Sequence, residues 1–376
     1  MLAVALISTS ACTPANAKNE ADILVAASLE LSGSAADVGV AYQRALELRA
    51  AQINASGLLG RRRLTVRIKD NRGDPATALS QLTAFTEDPA VTAIVTGTCA
   101  ECTAGAARAI EERRVPTIAL SPVADVIAPP AERRYIFRLA PSADDDAVVL
   151  TGELGRAGQR RVAVLSSDDA YGRHGADATA REAGKIGAKV VGRAQFAPAD
   201  TDLGKPARSA LAGGPDAVVI WGFPSQAALA LGAVRDAGYH GQVYLDAAAA
   251  GELFLGGPFA GADATALVFT PTLAIDDVIA TTPAKAARRQ WFQDYTSRYG
   301  TYHGHASFAA DALQLVANAV VQSGSLDGPT LRARLESAQT DGLSGSIRFT
   351  PDNHSGFTPQ SLTMLEARGG RWRLLG

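Results

Sequence analysis

Histidine and cysteine are scarce in this sequence, five and three among 376 residues, and the scarcity removes whole classes of chemistry. A side-chain metal site needs three or four clustered ligands. The histidines offer one close pair, His303-Gly-His305, with no third ligand beside it, so the pair reads as a solvated loop and no metal site is assigned. There is no Gly-x-Ser-x-Gly elbow, no Walker loop, no Gly-x-Gly-x-x-Gly turn and no His-Glu-x-x-His helix, so the usual hydrolase, nucleotide-binding and zinc-protease templates fail. Glu101 and Glu153 have no sequence-local carboxylate partner for acid–base work. No catalytic residue and no cofactor are expected.

A surplus of one charge is lacking as well. Lys plus Arg number 36 against 38 for Asp plus Glu, and neither sign forms a block able to grip phosphate or an anionic surface. Without a helix-turn-helix, zinc-finger spacing or an aromatic-basic stripe, nucleic acid is excluded as a partner. What is present is ordinary globular material, 47% apolar and 20% charged, in a chain long for one core and comfortable for two.

The opening apolar stretch, Met1 to Ala11, is too short for a membrane span of about 20 residues. It ends in small residues directly before Cys12, as an export signal does. The pattern resembles a bacterial lipoprotein signal in which Cys12 carries the lipid. The expectation is an exported chain, periplasmic or at the cell surface, tethered by residues 1–21 and touching the membrane through that lipid alone. Cys99 and Cys102 remain, and an oxidising compartment lets such a pair close a disulfide or stay as two packed thiols. A redox role is the third reading of this Cys-x-x-Cys, since a strand-to-helix position lowers a thiol's pKa.

Along the rest of the chain, short β-rich runs alternate with helical patterns, the signature of parallel sheets covered by helices. Strands are expected at Ile23 to Leu29, Leu64 to Lys69, Thr92 to Thr96 and Val115 to Leu120. Helices are expected from about Ala35 to Ala55, from Pro75 and over Thr103 to Arg113. A second series has strands at Arg161 to Ser166, Ala188 to Val191, Asp216 to Trp221, Gln242 to Leu245 and Ala266 to Thr270, with a helix from Gln226 to Ala237. Two amphipathic helices follow, Pro283 to Tyr299 and Ser307 to Ser323, and the tail returns to strand at Ser346 to Thr350 and Ser361 to Glu366.

The run Ala41 to Gly60, the segments Asp70 to Ala78, Val95-Thr-Gly97 and Val115 to Pro122, and then Asp168 to Gly172, Asp216 to Gly222 and Ala237-Gly238 together resemble the leucine/isoleucine/valine-binding protein family in order and spacing. The resemblance implies a type I periplasmic binding fold: α/β, two doubly wound lobes joined by three crossovers. These fall near 140–143, 269–272 and 341–345, giving one lobe from 22–141 and 271–343 and the other from 142–270 and 344–376. It implies a small solute, an amino acid or a related polar compound, held by a Venus-flytrap closure and passed to an ABC permease.

The site residues follow from the same resemblance. Cys99, Glu101, Cys102 and Thr103 lie in the segment that holds a ligand carboxylate, and Val123 and Asp125 in the stretch that grips an amino group. Tyr171 and Phe223 match aromatic walls, and Asp246 an acid that pairs with the ammonium. Carboxylates at 125 and 246 would favour an amino-bearing ligand, since an unpaired buried charge is costly. The family's usual disulfide has no partner here, because residue 73 is glycine. Each assignment has a plainer counterpart: Asp125 as a turn cap, Tyr171 and Phe223 as core, Asp246 as a loop residue. A ligand-sensing regulator on the same fold and a thiol-disulfide enzyme are the rival functions.

Overall fold

Parallel strands covered on both faces are apolar throughout, whereas edge strands alternate, and the computed structural model of this chain follows that rule. It describes residues 21–251, 264–274 and 281–376. The first sheet is five-stranded and parallel, in the order β2 (Leu64–Asp70), β1 (Ile23–Leu29), β3 (Val91–Thr96), β4 (Thr117–Ala119), β5 (Ile136–Arg138). β3 is buried at every position, while β2, at the edge, alternates.

The second sheet has seven strands, in the order β14 (Arg371–Leu374), β13 (Thr363–Arg368), β10 (Thr265–Phe269), β9 (Gln242–Leu245), β8 (Ala217–Trp221), β6 (Arg161–Ser167), β7 (Lys189–Phe196). It is parallel from β10 to β7, and β13 and β14 add an antiparallel edge. A separate hairpin pairs β11 (Gln339–Gly342) with β12 (Gly345–Arg348).

Helices α1 (Ala36–Ala55), α2 (Pro75–Glu87), α3 (Ala100–Gly105) and α4 (Ala107–Arg113) belong to the first lobe. The second is covered by α5 (Ala143–Arg156), α6 (Ala170–Lys185), α7 (Gly204–Leu211) and α8 (Pro224–Asp236). The chain then returns: α9 (Pro283–Tyr299) and α10 (Ala306–Ser323) pack on α1, and α11 (Gly328–Glu336) packs on α10. Arg49 on α1 bonds Gln314 on α10 at 2.8 Å, and Gln52 bonds Asp294 on α9 at 2.7 Å.

Local chemistry accounts for several boundaries. Asp74 caps α2 through the Thr77 amide at 2.8 Å with Pro75 at its first position, the arrangement that suits an N-terminus. Ser142 caps α5, accepting from the Asp145 amide at 3.1 Å; this helix carries three acids in its first turn and buries the stripe Ala143, Ala147, Leu150 and Leu154. The single helix expected over Thr103 to Arg113 is two, α3 and α4, separated at Ala106. Among the described residues no helix is long and apolar enough to cross a membrane.

Candidate functional site

Open α/β sheets bind ligands beyond the carboxyl ends of their strands, and in both lobes those ends face one seam. From the first lobe come Tyr42 of α1, Thr98 after β3, Leu120 and Pro122 after β4, and His305 at the start of α10; from the second come Phe223 after β8 and Ala247 and Ala248 after β9. The lobes lie close here. The space between these side chains is ≈ 10 Å³, about one water molecule's worth. A second, separate cavity of ≈ 340 Å³ lies between α1 and α8, where Asp37, Arg44, Ser225 and His303 take part in the lining. Ser225 donates across the seam to Asp37 at 2.9 Å.

The first-lobe wall is organised by a residue that the sequence does not single out. Glu30, at the end of β1, is buried, and its carboxylate accepts from the Thr98 amide at 2.7 Å, the Thr98 hydroxyl at 3.0 Å, the Cys99 amide at 3.4 Å and Asn71 Nδ2 at 3.1 Å. Gly97 makes the room: a Cβ there would lie 2.1 Å from Glu30 Oε2. The turn implied to hold a ligand carboxylate thus already gives two of its amides and a hydroxyl to the protein's own acid. Thr103 is fully buried with its hydroxyl 2.8 Å from that of Thr96, and Glu101 points to solvent.

Cys99 and Cys102 are joined in a disulfide, which settles the choice that the sequence leaves between a bridge and packed thiols. Closing a loop this short, three residues apart in sequence, restricts the unfolded chain little and is worth about 2 kcal/mol. Reduction with a phosphine is therefore expected to lower the melting temperature by only a few degrees in a chain of this size. Complete unfolding on reduction, followed by circular dichroism, would contradict that view.

Behind Phe223 in the second-lobe wall lie Tyr171 and Asp246, which are buried and, like Asp125, line neither cavity. The Tyr171 and Phe223 rings lie 5.6 Å apart, and the Tyr171 hydroxyl donates to Asp246 Oδ2 at 2.8 Å. Asp246 also accepts from the Gly222 amide at 3.1 Å and the Ala249 amide at 3.0 Å, fixing the 3-10 turn Ala247–Ala249 that faces the seam. From the other side, Asp146 of α5 accepts from the Ala247 amide at 2.9 Å. Asp246 is fully buried, and burial pushes its carboxyl up to about 8 although the three donors pull it down. Burial and the neighbouring Asp246 push Asp146 up too.

A carboxyl raised on folding contributes stability below its unfolded range, near pH 4, and loses it as pH climbs toward 8. Buried His305, held below 6.5 mainly by desolvation, acts in the opposite sense at the acid end. The comparison that isolates Asp246 is wild type minus Asp246→Asn. That difference in melting temperature is expected to decline steadily between about pH 4 and pH 8, and a flat difference in pH-scanned melts would contradict it.

Of the other expected site residues, Val123 is buried in the segment after β4, directly before the 3-10 turn Ala124–Ile127. Asp125 is exposed in the short 3-10 turn Ala124–Ile127 and lines neither cavity. Cys12 lies outside the described residues. The histidine pair departs from its reading as a solvated loop: His303 and His305 are each 5% exposed, with rings 5.2 Å apart. Their burial comes from both lobes, Tyr42 and Phe308 packing on His305 from the first and Phe269 from the second, which no local pattern records. Between them Gly304 lies against Ala250, where a Cβ would sit 2.7 Å from the carbonyl oxygen.

The sequence profile described as periplasmic binding protein matches residues 22–371. No curated protein is significantly similar in sequence. Among solved structures, an extracellular ligand-binding receptor from Rhodopseudomonas palustris HaA2 superposes with TM-score 0.85 at 22% identity, covering 94% of this chain and 100% of its own. The branched-chain amino acid transporter substrate binding protein LivJ from Streptococcus pneumoniae, in complex with isoleucine, gives 0.78 at 20% identity over 94% and 99% of the two chains. A leucine binding protein from Thermotoga maritima gives 0.80 at 18% identity over 94% and 98%. At these identities the likeness is one of fold.

Proposed function

The chain belongs to the periplasmic binding protein family, and from that premise we propose that it captures a small polar solute between its lobes and delivers it to the membrane permease of an ABC importer. The observation that carries this reading is the seam itself: a narrow space walled from both lobes by residues at the carboxyl ends of their strands, with a larger cavity nearby between α1 and α8. Hinged closure on a solute gives the membrane partner a shape to read. The division into lobes of 22–141 with 271–343 and 142–270 with 344–376 is consistent with the strand order of the two sheets.

Two of the similar structures are named as binding proteins for isoleucine or leucine, which makes amino acids and related amino compounds the first solutes to try. Lipid on Cys12 is the proposed anchor that keeps the chain near its permease. The test is a thermal-shift screen of the chain from Lys18 onward against amino acids, amines, amides and aromatic acids. A compound at 100 times its dissociation constant stabilises the native state by about 2.7 kcal/mol. A shift with at least one amino-bearing compound is expected, and none from the whole panel would sink the proposal.

A further inference from the structure

Helix α1 turns one face toward the cavity of ≈ 340 Å³ between α1 and α8, and Asp37, Val40, Ala41 and Arg44 line it. Their i, i+3, i+4, i+7 spacing puts these side chains on a single stripe. The stripe is acidic at one end, basic at the other and apolar between, and Pro224 of α8 and Tyr295 of α9 add carbon surface to the lining. Asp37 and Arg44 stand two turns apart, a rise of about 10.5 Å along the helix. The volume is that of a small-molecule site, which starts near about 300 Å³.

Both ends of the stripe are held in place, and neither meets a protein counter-charge. Asp37 Oδ2 accepts from the Ser225 hydroxyl of the second lobe at 2.9 Å, and Oδ1 from the Val38 amide at 2.8 Å, which leaves a lone pair on each oxygen. The Arg44 guanidinium lies over the Tyr299 ring, 5.3 Å from its centroid. Among the described residues no ion pair or side-chain hydrogen bond takes up its N–H donors. Both residues are half-buried, so a ligand meeting them is partly shielded from water, where charge-assisted hydrogen bonds strengthen. The Thr98 turn, which the family resemblance makes the seat of a carboxylate, already serves the carboxylate of Glu30. A second carboxylate there would meet a like charge, whereas at Arg44 it meets a cation.

The geometry points to this cavity as the seat of a solute with an ammonium group at one end, a carboxylate at the other and a short methylene chain between them, an ω-amino acid. The ammonium donates to Asp37, the carboxylate accepts from Arg44, and the methylenes lie along Val40 and Ala41. This rests on the capture reading above, since Pro224 and Ser225 bring the second lobe to the same cavity, and it moves the solute away from the Thr98 turn. An α-amino acid carries both charged groups on one carbon and does not reach across two helical turns.

The full chain is titrated calorimetrically with 5-aminopentanoate, with pentanoate and n-pentylamine, which each keep one charged end, and with L-norvaline, the isomer whose two charged groups share a carbon. 5-Aminopentanoate is expected to bind at least about tenfold more tightly than any of the other three. Asp37→Asn, which keeps an oxygen for Ser225, is expected to lose about tenfold for 5-aminopentanoate and n-pentylamine with no loss for pentanoate. Arg44→Gln is expected to lose about tenfold for 5-aminopentanoate and pentanoate with no loss for n-pentylamine. L-norvaline binding as tightly as 5-aminopentanoate, unchanged 5-aminopentanoate affinity in either variant, or a uniform loss for every compound overturns this seat and leaves capture standing. No binding by any of the four overturns the ω-amino acid class, and capture is then decided by the wider thermal-shift panel.

Discussion

Gly304→Val is expected to abolish solute-induced stabilisation while leaving the fold intact. A Cβ on residue 304 would lie 2.7 Å from the Ala250 carbonyl oxygen, 3.2 Å from the Ala250 Cβ and 3.3 Å from Leu273 Cδ1. Ala250 belongs to the second lobe and Gly304 to the first, so valine's bulk is relieved most cheaply by the lobes moving apart. Each lobe keeps its own sheet and core, and the melting temperature without solute should change little. What is lost is the closed arrangement, and a solute must then supply the free energy to restore it. An affinity loss of about 100-fold or more is expected by calorimetry, and a smaller loss of the same kind, about tenfold, for Gly304→Ala, which adds the same Cβ without valine's two further methyls. Gly105→Ala, where an added Cβ meets nothing within 4 Å, serves as the control and should be neutral to binding. Wild-type affinity in Gly304→Val would show that this contact does not govern closure.

The second large effect falls on stability. Glu30→Ala removes a buried carboxylate that gathers donors from the amides of Thr98 and Cys99, the Thr98 hydroxyl and Asn71. At least two of these are left buried without a partner, and each orphan costs about 1–3 kcal/mol, so a loss of roughly 3–5 kcal/mol is expected in chemical denaturation. Glu30→Gln is expected to rescue only in part: its oxygen can keep the Thr98 amide and hydroxyl, while its nitrogen turns N–H toward the N–H groups of Asn71 and Cys99. A loss under about 1 kcal/mol would mean that water replaces the carboxylate without strain.

Much of the fold is legible in the residues. β1 runs from Ile23 to Leu29 and α9 from Pro283 to Tyr299, the limits that the apolar runs and the proline at the helix start indicate. Alternation of strand and helix announces parallel sheets. The elements that escape are short or charged: β5 is three residues long, too short for a period, and α5 opens on three consecutive aspartates that obscure its stripe Ala143, Ala147, Leu150 and Leu154. Of the site, Tyr171, Phe223 and Asp246 are legible as a set through the resemblance, and the structure brings them together. Glu30 is not, because its partner Thr98 is 68 residues away and nothing in the local pattern of β1 marks an acid at its end as buried. His303 and His305 look like a polar loop for the same reason: what packs on them, among others Tyr42, Phe269 and Gly251, is distant in sequence.

The central claim is that two lobes close on a solute held between them, and a cross-lobe distance tests it most directly. Glu47 on α1 and Leu229 on α8 are both exposed and suit paired spin labels read by double electron resonance. Adding a compound that raises the melting temperature is expected to narrow the distance distribution and shift it to shorter separations. A distribution that stays the same at saturation would place the compound elsewhere and contradict capture between the lobes.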